Sequence, residues 1–189
     1  MFIRSERLFL RPIWAEDWQD LHAGLSDQEV ERNFLRMGWP YSPEGLRSGA
    51  GLDPRMPHFM ITLPRGNHGV DVLGMIGMVQ IDGQAHLGYW IAREYRGQGY
   101  ATEAGRAVLS LARTLGHAHV VARHMLDNPA SGRVLRKLGF SPLSVDGARA
   151  SGCGVLPVLT TSMTYAIDLG APSNCDDDLN GGSARRRAA

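Results

Sequence analysis

Arg96-Gly97-Gln98-Gly99-Tyr100-Ala101-Thr102-Glu103-Ala104 comes shortly after the apolar run Leu87-Gly88-Tyr89-Trp90-Ile91, and the junction between them decides the fold. The first run reads as a strand, rich in aromatic and branched residues. In the second, apolar positions Ala104, Val108, Leu111, Ala112 and Leu115 recur at helical spacing and predict a helix from about Ala101 to Leu115, with Gly116 as a left-handed terminator. A strand, a glycine turn and a helix N-terminus aim several unpaired peptide N–H groups at one point, where an anion is stabilised. Gly97 and Gly99 carry no side chain to block that approach. The helix dipole adds roughly 0.3–1 kcal/mol for a negative group there. A tight connection with no ligand has the same outline, so the turn alone does not assign one. Two familiar nucleotide loops are excluded: no Gly-Lys-Ser/Thr ending is present, and no third glycine with a later acidic residue.

Working outward, Arg7-Leu8-Phe9-Leu10-Arg11-Pro12 predicts a first strand closed by proline. Helices are expected over about 16–25 and from a cap at Ser26 or Asp27 to about Leu35. Residues 38–57 read as a connection rich in Gly, Pro and Arg. Strands follow at 58–63 and 72–81, and the hairpin dipeptide Asp82-Gly83 turns the chain into a fourth strand, Ala85 to Ala92. Gly74 and Gly77 mark a bulge or a close backbone approach. His119 to Met125 is the fifth strand. Asn128-Pro129 then supplies a cap and a first-turn proline for a helix ending at Gly139, with Ala130, Val134, Leu135 and Leu138 on its buried face. Two last strands, about 140–145 and 162–169, pair antiparallel. Residues 1–169 are expected to form one α/β domain. The remainder, 170–189, holds Cys175-Asp176-Asp177-Asp178 and Arg185-Arg186-Arg187 and is expected to be a disordered tail.

Composition narrows the function classes. The chain has 189 residues, 43% of them hydrophobic and 21% charged, which fits an ordinary globular domain. A formal net charge of +1 gives no electrostatic case for nucleic acid or for a membrane surface. The seven histidines show no metal-ligand spacing, so no metal is expected. Two cysteines are too few for a disulfide framework and suit a reducing compartment. With no secretory signal at the start and no run near the roughly 20 apolar residues of a membrane span, the expectation is a cytoplasmic protein.

Arg96 to Ala101 resembles the pyrophosphate motif of the GNAT acetyltransferase superfamily, Arg/Gln-x-x-Gly-x-Gly/Ala. Gly88-Tyr89-Trp90 and Ala101-Thr102-Glu103-Ala104 are similar to the branch holding the ribosomal-protein alanine N-acetyltransferases. So are Asn128-Pro129-Ala130-Ser131, Val134 to Phe140 and the opening Arg7 to Pro12, in the order and at the spacing of that branch over about residues 3–169. The resemblance implies a central, mostly antiparallel seven-stranded sheet whose fourth and fifth strands splay apart, flanked by about four helices. It implies acetyl-CoA as cosubstrate, with its pantetheine in the gap. The backbone of Ile91, Ala92 and Arg93 would bond the pantetheine amides, and the amides of Gly97, Gln98, Gly99, Tyr100, Ala101 and Thr102 would receive the pyrophosphate beside Arg96. Asn128 and Ser131 would reach the arm near the thioester, and Asn128 also reads as a plain helix cap. Homodimers are common among such proteins, and nothing in the sequence decides that point.

Acetyl transfer needs a neutral amine, and an alkylamine titrates near pH 10, so a proton acceptor is required. Many relatives place Glu two residues before the glycine of Gly-Tyr-Trp; here His86 stands there. Strand alternation puts it on one face with Gly88 and Trp90. An imidazole with a reference pKa of about 6.5 is a competent base, and a packing or surface histidine is the alternative. The helix tyrosine that donates a proton to the leaving thiolate in many relatives is replaced by Leu135. Ser131 is then the candidate donor, its alternative being a first-turn residue facing water. Tyr89 and Tyr95 read as packing residues. Trp14, Trp18, Phe34, Trp39, Tyr41, Arg32, Arg36 and Arg47 are candidates for the acceptor wall. The leading expectation is an N-acetyltransferase acting on a primary amine, either a protein N-terminus or a small amine. The alternative is a non-catalytic acyl-CoA-binding sensor of the same fold.

Overall fold

The computed structural model describes residues 1–37, 53, 55–150 and 159–170. In chain order these hold β1 (Ile3–Arg4), β2 (Phe9–Arg11), a 3-10 turn (Ala15–Asp17), α1 (Trp18–Leu25), α2 (Gln28–Met37), β3 (His58–Pro64), β4 (Val70–Ile81) and β5 (Gln84–Ile91). They continue with a 3-10 turn (Arg93–Tyr95), α3 (Tyr100–Thr114), β6 (His119–Met125), α4 (Pro129–Lys137), β7 (Ser141–Ala150) and β8 (Leu159–Asp168). The strands form one sheet of eight in the order β1-β2-β3-β4-β5-β6-β8-β7. The strand beyond the expected seven is the two-residue β1, which pairs Ile3 with Leu10. The strand expected over 7–12 is shorter because Ser5 N–H bonds the Leu8 carbonyl at 3.0 Å, turning the chain just before Phe9. Apart from Gly170, the expected disordered tail lies outside the described residues, as does most of the 38–57 connection.

Every pairing is antiparallel except that of β5 with β6. Period-two alternation sorts the side chains onto two faces. Met60, Met75 and Trp90 stand in register on adjacent strands and are covered by Leu21, Leu25 and Val30 from α1 and α2. Phe59, Ile76 and Leu87 belong to the opposite core, under Ala104, Val108 and Ala112 of α3 and Leu135 of α4. Burying each large side chain is worth about 1.5–3 kcal/mol, so the two faces together hold the helices on the sheet.

Two turns follow the sequence closely. Asp82 and Gly83 take φ of 50° and 79°, the left-handed pair that closes a two-residue hairpin between Ile81 and Gln84. The glycines of β4 divide their roles. Ile61 pairs with Gly74 but Thr62 with Val72, so Leu73 is the extra residue of a bulge. At Gly77 a Cβ would come within 2.7 Å of the His58 ring, a close approach. Gly74 has φ of 156°, and a Cβ there would run into the Trp90 carbonyl. Gly74→Ala is therefore expected to lower the unfolding free energy by about 1–3 kcal/mol in urea titration. An unchanged midpoint would mean that the bulge relaxes without strain.

Candidate functional site

The sheet opens in its middle. β5 and β6 pair at Ala85–Val120, His86–Val121 and Leu87–Ala122, and then stop. β5 continues on β4 as far as Ile91, and β6 continues on β8 as far as Met125. The bulge at Leu73 and Gly74 faces the departing end of β5, and bulges bend the strand that carries them. Tyr89 stands in the gap: its hydroxyl donates to the Ser131 carbonyl at 3.4 Å, linking β5 to the first turn of α4. Burial pushes this phenol up to about 12, against the smaller opposing effect of its bond to Ser131. The gap broadens into a cleft of about 380 Å³ between β5, the loop into α3, the end of β6, α4 and one face of α2.

On one bank lies the glycine loop. Gly97 and Gly99 have φ of 78° and 85°, and Gly99 is the residue that caps α3. A Cβ on Gly97 would meet nothing, so glycine serves backbone conformation at that position and not clearance from protein atoms. The N–H groups of Gly97, Gln98, Gly99, Tyr100 and Ala101 have no acceptor among the described residues. Thr102 N–H is already bonded to the Gly99 carbonyl at 3.1 Å, although Thr102 lines the cleft.

Arg7 braces this loop from outside. It donates through Nη1 to the Gln98 carbonyl at 3.2 Å and through Nε to Glu103 Oε2 at 2.8 Å, with its guanidinium 4.5 Å from the Tyr100 ring centre. Glu103 Oε1 also accepts from Ser5 Oγ and Arg7 N–H, both at 2.7 Å. Burial raises the Glu103 carboxyl, but these bonds outweigh it and hold it below the usual carboxylate range. Arg96 reaches back through Nε to the Ile91 carbonyl at 2.9 Å and through Nη1 to Glu29 at 2.7 Å.

On the other bank Asn128 Oδ1 accepts the Ser131 N–H at 3.2 Å, so Asn128 caps α4 as its sequence position implied, with Pro129 as the first helical residue. Both Asn128 and Ser131 line the cleft. Leu135, which fills the expected tyrosine slot, lines it too and is 1% exposed.

The structure brings most, not all, of the expected residues together. Ile91, Arg96, Gly97, Gly99, Tyr100, Ala101, Thr102, Asn128 and Ser131 line the cleft; Ala92, Arg93, Gln98 and His86 do not. Ala92 donates its N–H to the Leu73 carbonyl at 2.8 Å and accepts from Tyr95 N–H at 2.9 Å, so its peptide is committed within the protein. His86 sits one residue before the fork, between Val79 and Val121, and is 5% exposed. Burial pushes its pKa down, nearby Arg123 pushes it further, and Asp82 opposes both. Trp14 lies at the sheet edge against Phe2 and under Arg11, away from the cleft, and Trp18 rests on His22. Trp39, Tyr41 and Arg47 lie outside the described residues. The cleft instead takes Glu29, Val30 and Asn33 from α2, a set at helical spacing whose signal was present but polar. His124 also enters it unforeseen, with Nδ1 2.7 Å from the Met125 carbonyl and Nε2 3.4 Å from the Tyr165 hydroxyl. Among the described residues, no helix is long and apolar enough to cross a membrane, and no group of three His, Cys, Asp or Glu is placed to hold a metal.

One half-buried and one buried imidazole, His58 and His86, give the fold a pH dependence. His58 and His86 both have pKa values lowered, chiefly by burial, so the unfolded chain binds protons more tightly than the folded one. Their contribution to stability is complete above the unfolded value of about 6.5 and is lost as pH falls below it. The thermal midpoint is expected to drop between pH 7 and 5, before the carboxylates titrate, and His86→Gln to flatten that drop. An identical pH slope in the variant would refute the contribution of His86.

Comparisons with known proteins bear on the family and the fold. The profile of the acetyltransferase (GNAT) domain matches residues 7–141. An uncharacterized N-acetyltransferase of Bacillus subtilis (strain 168), YoaA, is 27% identical over 154 residues, covering 73% of this chain and 81% of that one. The solved structure of a GNAT-family acetyltransferase from Bacillus anthracis superposes with a TM-score of 0.72 at 24% identity, covering 89% of this chain and 98% of that one. RimL, a ribosomal L7/L12 α-N-protein acetyltransferase solved in complex with coenzyme A, superposes with a TM-score of 0.66 at 19% identity, covering 89% and 98%.

Proposed function

The chain belongs to the GNAT acetyltransferase family and is an acetyl-CoA-dependent acyltransferase, and from that premise we propose that it acetylates a primary amine by direct attack in a ternary complex. The acceptor is a protein N-terminus or a small amine. One observation carries this reading: a mid-sheet fork opens into the same cleft as the loop of Gly97, Gly99, Tyr100 and Ala101, whose peptide N–H groups have no acceptor among the described residues, opposite Asn128 and Ser131. Five amides from Gly97 to Ala101 at a helix N-terminus suit a diphosphate. The unpaired side of β5 beyond Leu87 suits an extended arm bearing amides.

In this reading the loop and the fork hold the thioester, and the amine enters from the side of α1 and α2. The amine lone pair forms the new C–N bond, the C–S bond breaks, and a free N–H on β5 stabilises the charge that develops on the carbonyl oxygen. His86 is assigned the amine proton. Its ring does not line the cleft, so the proton reaches it through an intervening group on the face of Gly88 and Trp90. The lowered pKa keeps the imidazole unprotonated near pH 7, which an acceptor of protons requires. Ser131 is assigned the hydrogen bond to the departing sulfur.

Calorimetry with CoA and a thiol-release assay with N-terminal peptides and small amines test the proposal. Gly99→Val forces a branched residue into a left-handed φ and is expected to weaken CoA binding at least about tenfold while the sheet persists. A variant that binds CoA as tightly as the wild type would remove the loop from the site. His86→Ala is expected to lower kcat/KM by about 10²–10⁴ and to abolish an acidic limb lying below pH 6.5. If the limb survives unchanged, another group takes the proton.

A further inference from the structure

The phosphate loop and α2 share one arginine. Arg96 opens the loop, yet its guanidinium points at α2, donating through Nη1 to Glu29 Oε2 at 2.7 Å and through Nη2 to Asp27 Oδ1 at 3.3 Å. The two carboxylates are not equivalent. Asp27 accepts the N–H groups of Glu29 at 3.0 Å and Val30 at 3.2 Å, and also receives Arg93 Nε at 3.3 Å. Its side chain is 18% exposed, so it is a fixed part of the helix start. Glu29 is 52% exposed, lines the cleft, and has Arg96 as its one ion-pair partner among the described residues.

A carboxylate in that position works against a diphosphate twice, by repelling it and by occupying the cation that precedes the loop. A diphosphate carries more charge and accepts the planar guanidinium through paired oxygens, so it outcompetes a half-exposed glutamate. Resting on the reading of the cleft as an acetyl-CoA site, we propose that Glu29 is an exchangeable counterion. It holds Arg96 while the loop is free and yields it to the diphosphate, so that cosubstrate binding releases the first turn of α2. Asp27 stays as the pivot, and the exposed pair of Arg32 with Asp127 at 2.6 Å keeps α2 on the opposite bank, at the exit of β6. Because Val30 and Asn33 of α2 line the same cleft, the acceptor wall senses the cosubstrate. The coupling is reciprocal by linkage, so acceptor and acetyl-CoA alter each other's affinity by the same factor.

The test is CoA calorimetry together with amide hydrogen exchange over residues 28–33, on the wild type and on Glu29→Gln. Glu31→Gln serves as the control, since it removes the same charge from an exposed site on the same helix that does not line the cleft. Glu29→Gln is expected to bind CoA about two- to fivefold more tightly, the size expected for one part-exposed ion pair, and Glu31→Gln to bind as the wild type does. CoA is expected to speed exchange in the first turn of α2 in the wild type. In Glu29→Gln that turn exchanges at the faster rate before CoA is added. The proposal is overturned if Glu29→Gln binds CoA no more tightly, if Glu31→Gln gains the same factor, or if α2 exchange in the wild type ignores CoA. A wild-type chain that binds no CoA at all would remove the functional reading itself, and this proposal with it.

Discussion

A β-sheet that stops pairing in its interior leaves peptide groups without ladder partners, and the rest of this molecule is arranged around that condition. Each buried, unpaired backbone group costs on the order of 1–3 kcal/mol, so a fork survives only where other structure holds it open. Here the opening is enforced from several directions. The bulge at Leu73 and Gly74 bends β4 opposite the end of β5, and the Ala92 N–H is captured by the Leu73 carbonyl. The Tyr89 hydroxyl of β5 donates to the Ser131 carbonyl of α4 at 3.4 Å, tying the end of β5 to that helix. β6 is kept away by its seven-residue pairing with β8, which runs on past Ala122 to Met125. The fork is thus the joint product of four strands and a helix.

Charge along the cleft follows a similar economy. The glycine loop is steadied by cations that are themselves committed: Arg7 to Glu103, Arg93 to Asp27, and Arg96 to Asp27 and Glu29. The glutamate of the first brace is only 12% exposed and receives three further hydrogen bonds, so Arg7 stays where it is. The arginine that faces the cleft has the more exposed counterion. A loop built this way keeps its backbone donors ordered while leaving one cation able to change partners. Preorganised donors lose little entropy when an anion arrives, which is why the fixed brace and the looser one suit the same site.

What the sequence made legible was local. Asp82-Gly83 specifies its turn through two left-handed residues, Asn128-Pro129 specifies a cap and a first turn, and the glycines at 97 and 99 specify a loop that bulkier residues avoid. Each signal acts over a few residues and survives whatever packs against it. The parts that could not be read depend on distant partners. Strand β1 exists because Ile3 meets Leu10, and the bulge exists because Leu73 has no partner on β3. Trp14 was a plausible pocket residue by type, but its neighbours are Phe2 and Arg11 at the edge of the sheet. Alternation correctly put His86 on the face of Gly88 and Trp90, yet nothing in the pattern revealed that pairing ends one residue later, leaving the ring enclosed and Gly88 at the opening.

The leaving group's proton shows how packing narrows a choice that residue types leave open. Four tyrosines stand in or behind the cleft, and a phenol is the usual donor to a thiolate; Tyr100 belongs to the glycine-loop bank, where its ring centre lies 4.5 Å from the Arg7 guanidinium. The Tyr89 hydroxyl is turned onto the Ser131 carbonyl, and burial has raised its pKa to about 12, so giving up that proton is unfavourable. The Tyr165 hydroxyl meets His124 and Arg136, and the residue is 1% exposed behind β6. Burial, and then Asp71, which engages the hydroxyl, raise the pKa of Tyr95. Leu135 offers nothing. The proposed donor is the Ser131 hydroxyl, on the first turn of α4, a residue whose own backbone carbonyl accepts from Tyr89. A serine cannot match a phenol as an acid, but a hydrogen bond to sulfur is all that departure of a stable thiolate requires. The bond from Tyr89 to the Ser131 carbonyl therefore also ties β5 to the helix turn from which that hydrogen bond is assigned to come.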